Sequence, residues 1–174
     1  MKQQLEIEFK TLVTKEQFDK LISLYWPLLF YKQHNYYYRP LSCDYSFRIR
    51  IKENKKIFTL KEKIDNNILE HEKTFSGPFY EDNEIKNTLD RLNIYPPFNL
   101  EGELITYRAV VESELAQLCF DINHYNNLID YEIEYEIKKD HDGLRRFKEI
   151  LSEADIRYIP SYASKYYRCI STGE

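Results

Sequence analysis

Glu6, Glu8 and Lys10, in the stretch LEIEFK, alternate with Leu5, Ile7 and Phe9. In an extended strand successive side chains point to opposite faces, so one face is apolar and the other carries two carboxylates and an ammonium. Carboxylates about 7 Å apart on one strand face repel unless something cationic lies between or opposite them. The same alternation recurs along the chain. In FRIRIK, Arg48, Arg50 and Lys52 oppose Phe47, Ile49 and Ile51; in FTLKEK, Thr59, Lys61 and Lys63 share a face. Arg108 opposes Tyr107 and Ala109, and Asp121 opposes Phe120 and Ile122. In DYEIEYEIK, Glu132, Glu134 and Glu136 oppose Tyr131, Ile133, Tyr135 and Ile137.

The sign of the charge is sorted by strand, with acids on the first and last and bases in the middle. Any one such strand reads as the wet face of an antiparallel sheet. A solvated face mixes signs, however, because opposite charges pair across strands and like charges repel. At an effective dielectric near 20, like charges about 4 Å apart cost about 4 kcal/mol. Six strands with segregated sign make sense if the acids collect a divalent cation and the bases a polyanion. Spacing alone therefore points to a polar interior that binds a metal-complexed, multiply charged anion.

The elements that must hold these residues are mostly strands. Period-2 patterning predicts strands at 4–12, 34–39, 45–53, 56–64, 67–75, 103–113, 116–123 and 130–138. Turn chemistry at KENKK (52–56), IDNNI (64–68) and HYNN (124–127) predicts hairpins. Helical spacing appears in TKEQFDKLISLYW, with Thr14 and Gln17 at capping-box separation, in EDNEIKNTLDRLNI before Pro96 and Pro97, and in DGLRRFKEILSEADI. A last short helix is expected from Pro160–Ser161 through YASKYYRCI. The fold class is α+β, mainly β: an antiparallel sheet of eight strands that closes into a barrel and so removes its edges. The apolar faces should turn outward beneath the helices.

Length and composition set outer bounds. At 174 residues the chain is expected to form a single domain, 1–174, and 43% hydrophobic with 31% charged residues exclude disorder. A net charge of −4 gives no global attraction to a nucleic-acid duplex or an anionic membrane, so any anion site must be local. Cys43, Cys119 and Cys169 are scattered, with no zinc-ligand spacing, and read as reduced thiols. Glu6 and Glu8 stand where a signal peptide would need an apolar core, and no run approaches a membrane span, which makes the cytoplasm the expected compartment. His71 shares parity with Leu69 and Phe75 and is expected to be a packed or surface histidine rather than a ligand. Exposed aromatic helices are compatible with a homodimer.

Taken together, the motifs resemble the CYTH superfamily of triphosphate tunnel metalloenzymes, in its short single-domain Gram-positive bacterial form. Glu6-Ile-Glu8-Phe-Lys10 is similar to its opening ExExK signature, Phe47-Arg48-Ile49-Arg50 to its lRiR strand and Thr59-Leu60-Lys61 to its TxK strand. Tyr107-Arg108, Asp121, the closing Glu-x-Glu and the terminal SKYYR follow in the family's order. The resemblance implies a barrel open at both ends, with charges lining the tunnel and Mg2+ or Mn2+ as cofactor. It implies metal-dependent hydrolysis of a small triphosphate-containing molecule. Glu6, Glu8, Lys10, Glu134 and Glu136 would be catalytic. Lys10, Arg48, Arg50, Lys61, Lys63, Arg108, Lys165 and Arg168 would bind the triphosphate. Glu6, Glu8, Asp121, Glu134 and Glu136 would ligate metal, with Glu72 and Glu132 as further candidates; LEHEK around Glu72 departs from the family's pattern. Class IV-type adenylyl cyclisation, a non-catalytic nucleotide or polyphosphate sensor, and a structural barrel with a wet charged exterior stay open as alternatives.

Overall fold

Asn and Asp residues close the hairpins where the sequence places them. Glu53 and Asn54 both have positive φ (50° and 63°), as do Asn126 and Asn127 (46° and 62°), which is the two-residue turn whose twist matches the flanking strands. The computed structural model describes residues 1–41, 43–65 and 67–171. Asp65 is also left-handed (φ 53°), while Asn66 in the same expected turn lies outside the described residues.

Nine strands occur among the described residues, joined by antiparallel pairings, with four α-helices and one short 3-10 turn. The mainly β expectation holds; the count differs from eight because the first expected strand is divided at Ile7. Its first part, β1 (Lys2–Glu6), pairs with Asn67–Phe75, placing Glu6 opposite Ile68. Its second part, β2 (Glu8–Val13), pairs with Leu128–Ile137, placing Glu8 opposite Glu136. A change of partner in mid-strand leaves no trace in a period-2 pattern.

The chain forms two compact units. One comprises Met1–Glu6, Gln33–Leu104 and the chain from Cys169. Its strands run in the order β1, β6 (Asn67–Phe75), β5 (Lys55–Ile64), β4 (Phe47–Lys52) and β3 (Tyr31–Pro40). Phe47, Ile49, Phe58 and Leu60 leave one face of this sheet and pack on Ile85, Leu89 and Ile94, from helix α2 (Asn83–Arg91) and the turn after it. Asp82 caps α2 by accepting from the backbone N–H groups of Glu84 and Ile85. Each such buried side chain contributes about 1.5 to 3 kcal/mol. His71 is buried on this helix-covered face, with Nε2 2.7 Å from Glu62, whose carboxylate also takes a forked pair of bonds from Arg91. Of the packed and surface placements that the sequence leaves open, the packed one is found.

The second unit comprises Ile7–Lys32 and Ile105–Arg168. Here β7 (Phe98–Glu112, from Ile105 onward), β8 (Ala116–Tyr125), β9 (Leu128–Ile137) and β2 are neighbours in that order. Ala109, Leu118, Phe120, Ile133 and Tyr135 pack on Phe18 and Leu21 of α1 (Lys15–Ser23) and on Phe147, Ile150 and Leu151 of α3 (Gly143–Ser152). Gly143 opens α3 hard against the sheet: a Cβ there would fall 2.3 Å from Ile137 Cδ1. The capping box is present, with Gln17 N–H donating to Thr14 Oγ1 and Thr14 N–H to Gln17 Oε1. Thr14→Ala should therefore lose about 1 kcal/mol in urea unfolding; an unchanged midpoint would show that packing alone holds α1.

Two expectations need correction. The last helix, α4, spans Lys165–Ser171 rather than starting at Pro160–Ser161. Ser161 N–H donates to Lys10 O, which holds that segment out of helix, and Ser164 Oγ then accepts from Tyr167 N–H to start it. Leu5 and Ile7 are 55% and 53% exposed, so the apolar side of the opening stretch is left uncovered at these two positions, whereas Phe9 packs against the core of the second unit and Ile49 and Ile133 are buried as expected. Among the described residues no helix is long and apolar enough to cross a membrane.

Candidate functional site

Opposite its apolar core, each unit carries a charged face. In the first unit the registers put Arg48 across from Thr59, Thr59 across from Glu72, and Lys61 across from Glu70. Arg48, Arg50, Lys61, Lys63, Glu6, Glu70 and Glu72 therefore share one face, as the alternation predicts. Arg48 Nη2 donates to Thr59 Oγ1 at 3.0 Å and lies 3.9 Å from Glu70, while its Nε is buried with no hydrogen-bond partner. Arg50 Nε donates to Asn35 Oδ1 at 2.9 Å, and Asn35 is held in turn by donating to Leu104 O. Lys61 Nζ pairs with Glu6 Oε1 at 2.5 Å, and Lys63 is exposed. Glu72 is half-buried on this face.

In the second unit the acids are far deeper. Asp121 and Glu132 are fully buried and Glu134 nearly so. Arg108 stands at their centre: Nε and Nη2 fork onto Asp121 at 2.7 and 2.6 Å, Nη1 donates to Glu136 at 3.1 Å, and Nη2 also meets Glu134. Lys165 enters from α4, with Nζ 3.0 Å from Asp121 and in contact with Glu132 and Glu134. Arg168 reaches Glu132 and Asp130. On β2, Lys10 pairs with Glu8 at 2.5 Å.

Burial and pairing pull these groups apart in acidity. Burial alone would raise the Glu134 carboxyl, yet Lys165 and Arg108 hold it well below the ordinary range. For Glu132 burial prevails over Lys165 and Arg168, and for Glu136 it prevails over Arg108, so both are raised. Lys165 loses solvation but gains more from Glu132, Glu134 and Asp121, and stays protonated far above neutrality. Burial pushes the Cys119 thiol up.

Among the described residues two groups could bring donor atoms within 4.8 Å of one another: Asp121, Glu132 and Glu134, and Cys119, Glu134 and Glu136. The first is an all-oxygen set of the kind hard divalent ions prefer, and so fits Mg2+ or Mn2+. Asp121 and Glu134 thus share the first group, and Glu136 joins Glu134 in the second. Glu6 and Glu8 belong to neither group and hold lysines instead. Glu132, which the sequence also allows at a solvated mouth, is fully buried, as is Asp121. Asp130 and Cys119 lie on the same face and were not singled out from the sequence. Asp130 has the parity of Glu132 and could have been counted with it, whereas nothing about an isolated thiol marks it.

The chain matches the CYTH domain family over residues 4–167. YjbK of Bacillus subtilis, a proposed triphosphatase, is 32% identical over 170 residues, covering 90% of each chain. A Bacillus halodurans crystal structure, described as a proposed adenylate cyclase, is 32% identical with a TM-score of 0.85 over 97% of this chain and 98% of that one. A Hippeastrum protein, proposed as an adenylyl cyclase and described as revealing a dominant triphosphatase activity, shares the fold at 24% identity, with a TM-score of 0.77 over 94% and 95% of the two chains.

Proposed function

The chain belongs to the CYTH domain family, and on that footing we propose that it is a divalent-metal-dependent hydrolase of a small triphosphate-containing molecule. The observation that carries this reading is the convergence of Asp121, Glu132 and Glu134 inside the second unit. Removing an ion from water costs several kcal/mol even after relaxation. A sheet face with only a structural role has no reason to bury three carboxylates together. The buried, partnerless Nε of Arg48 supports an anion in the same way, since an unmet donor costs about 1 to 3 kcal/mol.

Arg48, Arg50, Lys61 and Lys63 in the first unit, and Lys10, Arg108 and Lys165 in the second, are proposed to take phosphate oxygens. Arginine supplies a planar fork and lysine a point charge. Asp121, Glu132 and Glu134 would hold Mg2+ or Mn2+, with Glu136, Glu6 and Glu8 completing the acidic set and Glu72 a further candidate. The ion, when bound, neutralises phosphate charge as a Lewis acid. Water adds to phosphorus as the phosphoanhydride oxygen leaves, and the water proton needs an acceptor. Glu136 is the best placed of these acids: its side chain is 35% exposed and pairs with one cation, Arg108, while Glu132 and Glu134 each meet two. The chain is proposed to act as one CYTH domain.

Phosphate release from tripolyphosphate, thiamine triphosphate and ATP, with Mg2+ or Mn2+, tests the reading. Turnover of at least one substrate that stops in EDTA is expected. Binding without release would instead favour a sensor. Cyclic AMP formed from ATP would favour the cyclase named for the Bacillus halodurans structure. Arg48→Met should raise KM or lower kcat so that kcat/KM falls roughly 10- to 100-fold, the equivalent of one or two charge-assisted hydrogen bonds. Wild-type kinetics in that variant would remove Arg48 from the site.

A further inference from the structure

The family resemblance counts Arg168 among the phosphate-binding cations, but four of its donors are already committed within the fold. A guanidinium offers five N–H groups. Nε donates to Asp130 Oδ2 at 2.9 Å, Nη1 to Glu132 Oε1 at 3.1 Å and to Ala163 O at 2.9 Å, and Nη2 to Glu132 Oε2 at 3.1 Å. Its side chain is only 9% exposed. Asp130 is itself fixed, accepting from Asn123 Nδ2 at 2.8 Å and Tyr125 OH at 2.6 Å, and Thr106 Oγ1 donates to Asn123 Oδ1 at 2.8 Å. Thr106, Asn123, Asp130, Arg168 and Glu132 thus form a chain of hydrogen bonds on the polar face of β7, β8 and β9, ending on one carboxylate.

We propose that Arg168 is a positioning residue: it does not grip the triphosphate but clamps Glu132, so that this carboxylate is presented with Asp121 and Glu134 to a divalent cation. The proposal rests on the reading of those carboxylates as a cation site. Each carboxylate oxygen has two lone pairs, so a forked guanidinium orients both oxygens and leaves capacity for an ion on Oε1, and on Oε2 once Lys165 turns away. Partners that orient a ligand in this way typically change metal affinity by 10- to 100-fold when altered. Lys165 differs in kind. It approaches the same acids as a single ammonium on a flexible stem, and it can turn to another partner where a forked Arg168 cannot.

Two equilibrium measurements on the full chain separate the roles: Mn2+ binding followed by electron paramagnetic resonance, and tripolyphosphate binding by calorimetry in EDTA. Arg168→Lys keeps the charge but loses the fork. It should weaken Mn2+ by about tenfold or more, while tripolyphosphate affinity stays within about twofold of wild type. Arg48→Met should show the reverse pattern. Asp130→Asn, a milder change that removes the charge behind Nε, should weaken Mn2+ in the same direction and serves if Arg168→Lys does not fold. Loss of tripolyphosphate affinity with Mn2+ unchanged would make Arg168 a phosphate ligand and overturn the proposal. So would equal loss of both, which a merely structural role gives, or no change in either. A wild-type chain that binds no Mn2+ would instead sink the cation-site reading itself, and this proposal with it.

Discussion

Glu134→Gln is expected to cut triphosphate hydrolysis by about a thousandfold while leaving the protein folded. The substitution keeps size and shape and removes one charge. That charge is the acceptor shared by Arg108 and Lys165, and it belongs to both groups of converging donors. A neutral amide loses its hold on the ion and sets N–H groups against two cations. Ion-mediated charge stabilisation is worth several kcal/mol, and each 1.36 kcal/mol is tenfold in rate. Glu114→Gln, at an exposed pair with Lys139, should change nothing measurable. Phosphate release from tripolyphosphate reads the effect, and a variant within tenfold of wild type would place Glu134 outside the chemistry. Stability should follow pH in a defined direction. Because the folded Glu134 carboxyl lies well below its ordinary value, its contribution is present above the unfolded-state pKa and is lost as pH falls through the folded one. Wild type and Glu134→Gln should therefore converge in acid.

Lys165→Met should be the most destabilising single change at the site, and divalent metal should reverse much of it. The ammonium neutralises Asp121, Glu132 and Glu134 where water cannot reach them. Removing one partner of a buried ionic group costs about 3 to 5 kcal/mol, or roughly 10 °C of melting temperature for a chain of this size. A ligand that binds only the folded state restores stability in proportion to the logarithm of its concentration. Mn2+ should thus raise the melting temperature of Lys165→Met by more than that of wild type. Equal shifts would mean that the carboxylates do not take up the ion where the lysine was.

The faces were legible because strand alternation is local geometry. Arg48 and Arg50, Lys61, and Glu134 with Glu136 could be assigned to one side from their neighbours alone. Thr14 and Gln17 announced α1 for the same reason, since the reciprocal bonds span three residues. What could not be read depends on contacts distant in sequence. The break at Ile7 reflects a change of partner from β6 to β9. The exposure of Leu5 and Ile7 follows from which helices are near, and the late start of α4 from one bond between Ser161 and Lys10. Alternation placed Glu132 on the polar side but not at its depth, which is set by Lys165 and Arg168 closing over it. Which cation meets which acid is a tertiary fact; only its sign was written locally.

The order of residues also bears on how the protein is made. Glu134 precedes Lys165 by 31 positions, so during synthesis β9 follows Arg108 and Lys10 but is made before the cations of α4. Until α4 is made, Glu132 has neither Lys165 nor Arg168 and gains by staying hydrated. Closure of this charged cluster thereby waits on α4, which is made after every strand of the second unit.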